Sequence, residues 1–223
     1  CRVSASLRAP SHALLAQPDG KVIVAWQESN PATPSSAYTL IRRFDASGAA
    51  DPTFSTFTFN ATQGADLVAA LALQADGRIL AVGTMPATEG SSFQAVAFRL
   101  MQDGNLDTGF GNDGFVRYEG GTGVHASLTQ SGFNAVNLLP DGRIFLAGTL
   151  LHDFQADSAM QFVRLLPDGR PDSSFNDGNR LIYTHYSGFS AAIQSRVQAV
   201  DVAEDGTFLV GGTVASAGAR CSA

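Results

Sequence analysis

The sequence predicts an all-β chain folded as a β-propeller, on three observations: a hairpin written four times, a second turn module written three times, and a composition suited to short strands and tight turns. The hairpins are "HALLAQPDGKVIVAWQ", "AALALQADGRILAVGT", "NAVNLLPDGRIFLAGT" and "QAVDVAEDGTFLVGGT". Their turns fall at Asp19-Gly20, Asp76-Gly77, Asp141-Gly142 and Asp205-Gly206, spaced by 57, 65 and 64 residues. Charged residues make up 15% of the chain and glycines number 23, against roughly 25% charged in an ordinary soluble domain. Such a period of self-similarity is the mark of a repeat architecture.

Each element of the unit has its own justification. The first strand keeps register through an alanine six positions before the turn Asp (Ala13, Ala70, Ala135, Ala199), followed by Leu14, Leu71, Val136 and Val200. Proline at the first turn position fixes φ, which suits a type I turn followed by a left-handed glycine, the G1 bulge, better than the mirror-image turn. Apolar second strands such as "RIFLAG" suit sheets packed on both faces. The second module, "LIRRFDASGAADPTFS", "AFRLMQDGNLDTGFG" and "QFVRLLPDGRPDSSFN", supplies a third strand and aligns Arg43, Arg99 and Arg164; Asp51, Asp107 and Asp172; Phe54, Phe110 and Phe175. A further apolar stretch, "FVRYEG" in one unit and "RLIYTH" in the next, supplies a fourth.

A four-stranded sheet of this kind cannot bury both faces alone and must stack on its neighbours. The expected layout is one β-propeller domain over 1–223, with repeats at about 12–66, 67–131, 132–196 and 197–223 plus 1–11. The N-terminal strand would complete the last blade and close a ring of about four; a piece of a longer array is the alternative. Cys1 and Cys221 would then share a blade, and a disulfide between them implies an oxidising compartment. Two free thiols, or a lipidated Cys1, are the alternatives.

The unit resembles the Delta-60 repeat proteins, whose pattern is close to "LALQADGRILAVGT" and "DGNLDTGFGNDG" here. The resemblance covers nearly the whole chain in three and a half copies. It departs in the first unit, where Ser47 replaces the second turn's Asp and the Gly-rich tail after Phe54 is missing. It implies a secreted or cell-surface bacterial protein of propeller-like architecture and no established catalytic activity; the expected setting is extracellular, cell-surface or periplasmic.

Composition narrows the function. A net charge of −6, with 14 Lys and Arg scattered without a run, offers a nucleic-acid backbone little counter-charge. No apolar stretch reaches the roughly 18–20 residues of a membrane-spanning helix. His12, His125, His152 and His185 show no zinc-ligand spacing, and none of the hydrolase, metalloprotease, P-loop or dinucleotide signatures occurs. No catalytic residue and no metal site is assigned, and no cofactor is expected. Calcium is the one candidate: the acidic loops gather Asp103, Asp107, Asn112 and Asp113, then Asp168, Asp172, Asn176 and Asp177, oxygen donors that suit the ion but that equally cap turns.

Residues used once per blade solve a problem every blade has. The repeated Arg and Asp are therefore expected to pair, through a bidentate fork, and the repeated Phe to plug the space between blades. A binding site must break the symmetry, as happens one position before the recurring alanine: His12, Ala69, Asn134 and Gln198. If the first strand is innermost, His12, Asn134 and Gln198 stand at the mouth of the axial channel. Variable loops at 28–38, 84–93 and 149–160 share one face and offer Phe154 as an anchor, while Trp26, in place of a recurring glycine, is read as packing. These features point to a non-enzymatic binding or scaffold module for a protein or carbohydrate partner. The alternatives are a sugar-active enzyme at the channel mouth and a structural spacer in a larger surface protein.

Overall fold

The computed structural model describes residues 11–30, 33–59, 67–87, 93–120, 130–151, 158–183, 193–203 and 207–216. These residues form strands in four antiparallel sheets. The first sheet comprises β1 (Ser11–Ala16), β2 (Val22–Asn30), β3 (Thr33–Phe44) and β4 (Phe57–Phe59). The second comprises β5 (Leu67–Leu73), β6 (Ile79–Pro86), β7 (Phe93–Leu100) and β8 (Phe115–Tyr118). The third comprises β9 (Gln130–Leu138), β10 (Ile144–Leu151), β11 (Ser158–Leu165) and β12 (Leu181–Tyr183), and the fourth β13 (Ile193–Val202) and β14 (Phe208–Ser216). In every sheet the strands neighbour each other in chain order, a plain meander.

The turns form as their residues dictate. The Gly20 N–H donates to the Gln17 carbonyl at 3.0 Å and the Gln17 N–H to the Lys21 carbonyl at 2.8 Å. Gly20, Gly77 and Gly142 sit at φ of 83°, 80° and 84°, the left-handed corner that glycine enters without strain. The Asp before each glycine accepts the N–H two residues on, as Asp19 does from Lys21 and Asp141 from Arg143. In the second module Ser47 stands where Asp103 and Asp168 do, and Asp45 compensates by accepting the N–H groups of Ser47 and Ala49.

Strand alternation gives each sheet two apolar faces, and each face meets the next sheet. Ile23, Ala25 and Ile41 of the first sheet pack with Ile79, Ala81, Val96 and Phe98 of the second. Leu80, Val82, Ala95 and Ala97, on the second sheet's other face, pack with Ile144, Leu146 and Val163 of the third. Phe145, Ala147 and Phe162 then pack with Val200, Phe208 and Val210 of the fourth. The innermost strands touch in sequence, β1 on β5, β5 on β9 and β9 on β13. The two outermost faces differ. Leu80 and Phe145 are 0% and 1% exposed, whereas Leu209, at the same place in the fourth sheet, is 76% exposed, and Leu14 on the first sheet's far face is 66% exposed.

One expectation shifts. The stretch 28–38 is mostly hairpin: β2 and β3 keep pairing through Glu28 with Tyr38 and Ser29 with Ala37. Likewise β6 reaches Pro86 and β10 reaches Leu151, so the connections at 84–93 and 149–160 are shorter than their sequence variability suggests.

Candidate functional site

The pairing of β1 with β2 skips from Ser11 to Ala13, that of β5 with β6 from Val68 to Ala70, that of β9 with β10 from Phe133 to Ala135, and that of β13 with β14 from Val197 to Ala199. The residues left over are His12, Ala69, Asn134 and Gln198. Each is the extra residue of a β-bulge, a device that takes one residue out of the ladder and re-aims its side chain. Opposite the bulge stand Gly83, Gly148 and Gly212, where a Cβ would run into the carbonyl oxygen of Leu67, Gly132 or Arg196. The recurring glycine is thus the bulge's partner. Trp26 holds that place in the first sheet, half-buried and paired with Ser11 and Leu40.

Two of these bulge residues, Asn134 and Gln198, line a cavity of about 580 Å³ that draws on all four sheets. Its walls repeat by position and differ by residue. Eight residues after the turn Asp come Gln27, Thr84 and Thr149; nine before it come Leu67, Gly132 and Arg196; seven before it come Asn134 and Gln198. Phe93 and Leu151 add apolar surface. The Val197 N–H donates to Thr149 Oγ1 at 3.3 Å, and the Thr149 hydroxyl donates to Asn134 Oδ1 at 3.3 Å, so the third and fourth sheets are joined at the cavity wall. Behind it, the buried Gln161 donates through Nε2 to Ser131 Oγ at 2.8 Å and to the Gly132 and Thr149 carbonyls at 3.0 and 3.3 Å. Arg180 in turn donates to Gln161 Oε1 at 3.1 Å.

Of the residues expected to bind ligand, Asn134 and Gln198 line this cavity. His12 occupies the equivalent bulge of β1, and its side chain lies outside the described residues, as do Phe154, Cys1 and Cys221. Sequence reasoning missed Arg196 and the threonines; the signal within reach was the glycine inside a strand, which marks a bulge or a close backbone approach.

The repeated Arg, Asp and Phe form one assembly in each of the first three sheets, and none of them lines the cavity. Nε of Arg43, Arg99 and Arg164 donates to Oδ2 of Asp51, Asp107 and Asp172 at 2.8, 2.8 and 2.7 Å. The fork expected on the carboxylate does not form, because Oδ1 is already taken by the N–H two residues on, from Thr53, Gly109 and Ser174. The free guanidinium arms reach the next sheet instead: Arg43 Nη1 donates to the Gln102 carbonyl at 2.8 Å and Arg99 Nη1 to the Pro167 carbonyl at 2.6 Å. Each guanidinium lies over its own Phe, 4.8 Å from the ring centre for Phe54, 4.7 Å for Phe110 and 5.1 Å for Phe175. Phe54 and Phe110 rest on Gly104 and Gly169 of the following unit, where any Cβ would collide with the ring.

Hydrogen bonds from the Thr53 hydroxyl and N–H, with Lys21 and Arg43 beside them, hold the Asp51 carboxyl well below the usual carboxylate range. At Asp172 burial pushes upward, but the Ser174 hydroxyl and N–H, Arg164 and Arg143 outweigh it and the carboxyl again ends well below. In the acidic loops Asp103 accepts from Asn105 and Asp168 from Arg170. Among the described residues no three His, Cys, Asp or Glu side chains are grouped to hold a metal, and no helix is long and apolar enough to cross a membrane.

No curated protein matches the chain. Among solved structures, a catalytically inactive variant of virginiamycin B lyase from Staphylococcus aureus, crystallised with quinupristin, is similar over 97% of this chain and 58% of its own, at 11% identity and a TM-score of 0.42. The chain thus spans less than two thirds of that neighbour's length. Residues 74–110 and 139–175 match the family described as "Domain of unknown function (DUF5122) beta-propeller". Each segment runs from the edge of the first turn to the Phe of the second module, so these stretches of the second and third sheets carry the repeat of a β-propeller family.

Proposed function

We propose that this protein is a non-enzymatic binding module whose ligand enters the axial cavity. The observation that carries the reading is that the cavity walls repeat in position while their chemistry changes from sheet to sheet, through Gln27, Thr84, Asn134, Thr149, Arg196 and Gln198. A scaffold role alone asks nothing of such differences. Amides and hydroxyls beside Phe93 and Leu151 suit a carbohydrate, whose rings present both hydroxyls and C–H faces. At about 580 Å³ the space falls within the range of small-molecule sites, roughly 300–1,000 Å³, while a protein partner needs a broad surface. The described lining contains no carboxylate or imidazole to serve an enzyme as acid or base.

The test is a glycan array followed by titration of any hit against the double variant Asn134→Ala, Gln198→Ala. Binding abolished with the melting temperature unchanged is the expected result; unaltered binding rejects the cavity as the site. A peptide partner captured through the cavity would move the assignment to the protein class.

The reading extends to the fold and its setting. We take the protein to be a secreted or cell-surface member of the Delta-60 repeat group, its ring of about four blades closed by residues 1–11 against the fourth sheet. Closure would cover Leu14 and Leu209, the two large apolar side chains left most exposed. A disulfide between Cys1 and Cys221 would lock it. Intact mass before and after reduction checks this: a gain of two hydrogens supports the closed ring, and an unchanged mass removes the lock.

A further inference from the structure

The hydrogen bonds around the cavity determine the charge of what it can hold. The Thr149 hydroxyl accepts the Val197 N–H and spends its own proton on Asn134 Oδ1. The acceptor end of the Asn134 amide is therefore occupied, and its N–H groups remain for a ligand. Gln198, exposed on the neighbouring bulge, adds an amide with no partner among the described residues. Arg196 is the decisive residue. It lines the cavity from β13, exposed, and its guanidinium has no ion pair, hydrogen bond or ring contact among the described residues. Every other arginine among the described residues has a carboxylate, carbonyl or aromatic partner.

An unpaired guanidinium beside spare amide donors, in a described lining without a carboxylate, is a site short of negative charge. The chain's net charge of −6 does not cancel this, because exposed charges beyond about 8 Å are largely screened at physiological salt. In the counterpart positions of the second and third sheets stand Leu67 and Gly132, so the cation belongs to this site and not to the repeat.

We propose that the cavity takes an acidic sugar, a pyranose bearing a carboxylate. The carboxylate pairs with Arg196 through charge-assisted hydrogen bonds, the ring hydroxyls meet the amides of Asn134 and Gln198, and the C–H face lies against Phe93 or Leu151. This inference rests on the reading of the cavity as a carbohydrate site.

The experiment titrates the full chain, by NMR, with digalacturonate, with the neutral digalactose of the same linkage, and with triglutamate. Digalacturonate is expected to bind at least about tenfold more tightly than digalactose, since one charged hydrogen-bond pair is worth at least that factor. Arg196→Gln should bring the two sugars level without altering the melting temperature. Equal affinities for the two sugars in the wild-type chain, or no effect of Arg196→Gln, would overturn the acidic assignment while leaving a neutral-sugar site standing. Triglutamate binding as tightly as digalacturonate, and as dependent on Arg196, overturns the sugar in favour of an acidic peptide. No binding of either sugar defeats both this inference and the carbohydrate reading beneath it.

Discussion

Arg99 shows how much one repeated side chain accomplishes: it pairs with Asp107, lies over Phe110 and donates to a carbonyl of the next unit's turn. Phe110 is wholly buried between the second and third sheets, while Phe175 is only half-buried. Phe110→Ala should therefore cost about 3–5 kcal/mol, the range for a buried aromatic truncated to a cavity, and Phe175→Ala clearly less; urea unfolding of the two variants checks the difference. The carboxylates give a pH signature. Asp51 and Asp172 titrate lower in the fold than their unfolded value near 3.9. Their contribution is complete above that value and is lost as acid drives the pH down toward their folded values. The melting temperature should hold from neutrality to about pH 5 and decline below about pH 4; Asp172→Asn should flatten that decline.

At the scale of the strand, the bulge is what brings Asn134 and Gln198 to the cavity, and it was the part least legible in the sequence. The hairpin turns could be read directly, because Pro-Asp-Gly admits few backbone conformations and the glycines do sit at positive φ. The Arg, Asp and Phe could be read because three copies align. The bulge residues His12, Ala69, Asn134 and Gln198 stood out as differences, but nothing in their spacing reveals that each leaves the ladder. Arg196 was invisible, since its counterparts Leu67 and Gly132 share no chemistry with it. The recurring glycine of "VGT" and "AGT" was the clue that a carbonyl passes close by. Gly148→Ala should consequently destabilise by about 1–3 kcal/mol, as overpacking does, and should shift the amide resonances of Asn134 and Thr149, measurable by denaturation and by NMR of the same sample.

At the scale of the molecule, the sheets are interdependent. Each contributes large apolar side chains worth roughly 1.5–3 kcal/mol apiece when buried, and in the second and third sheets both faces are covered. The cavity exists only because four sheets converge, so its shape depends on their stacking. The order of packing was readable from the repeat; which outermost faces are covered was not, because Leu14 and Leu209 belong to the same apolar pattern as their buried counterparts. The most direct measurement is the amide NMR spectrum of residues 67–120, the second sheet alone, beside that of the full chain. Mutual support predicts a collapsed, undispersed spectrum for the single sheet and a dispersed one for the whole; a dispersed spectrum with a cooperative thermal transition from the isolated sheet would contradict it.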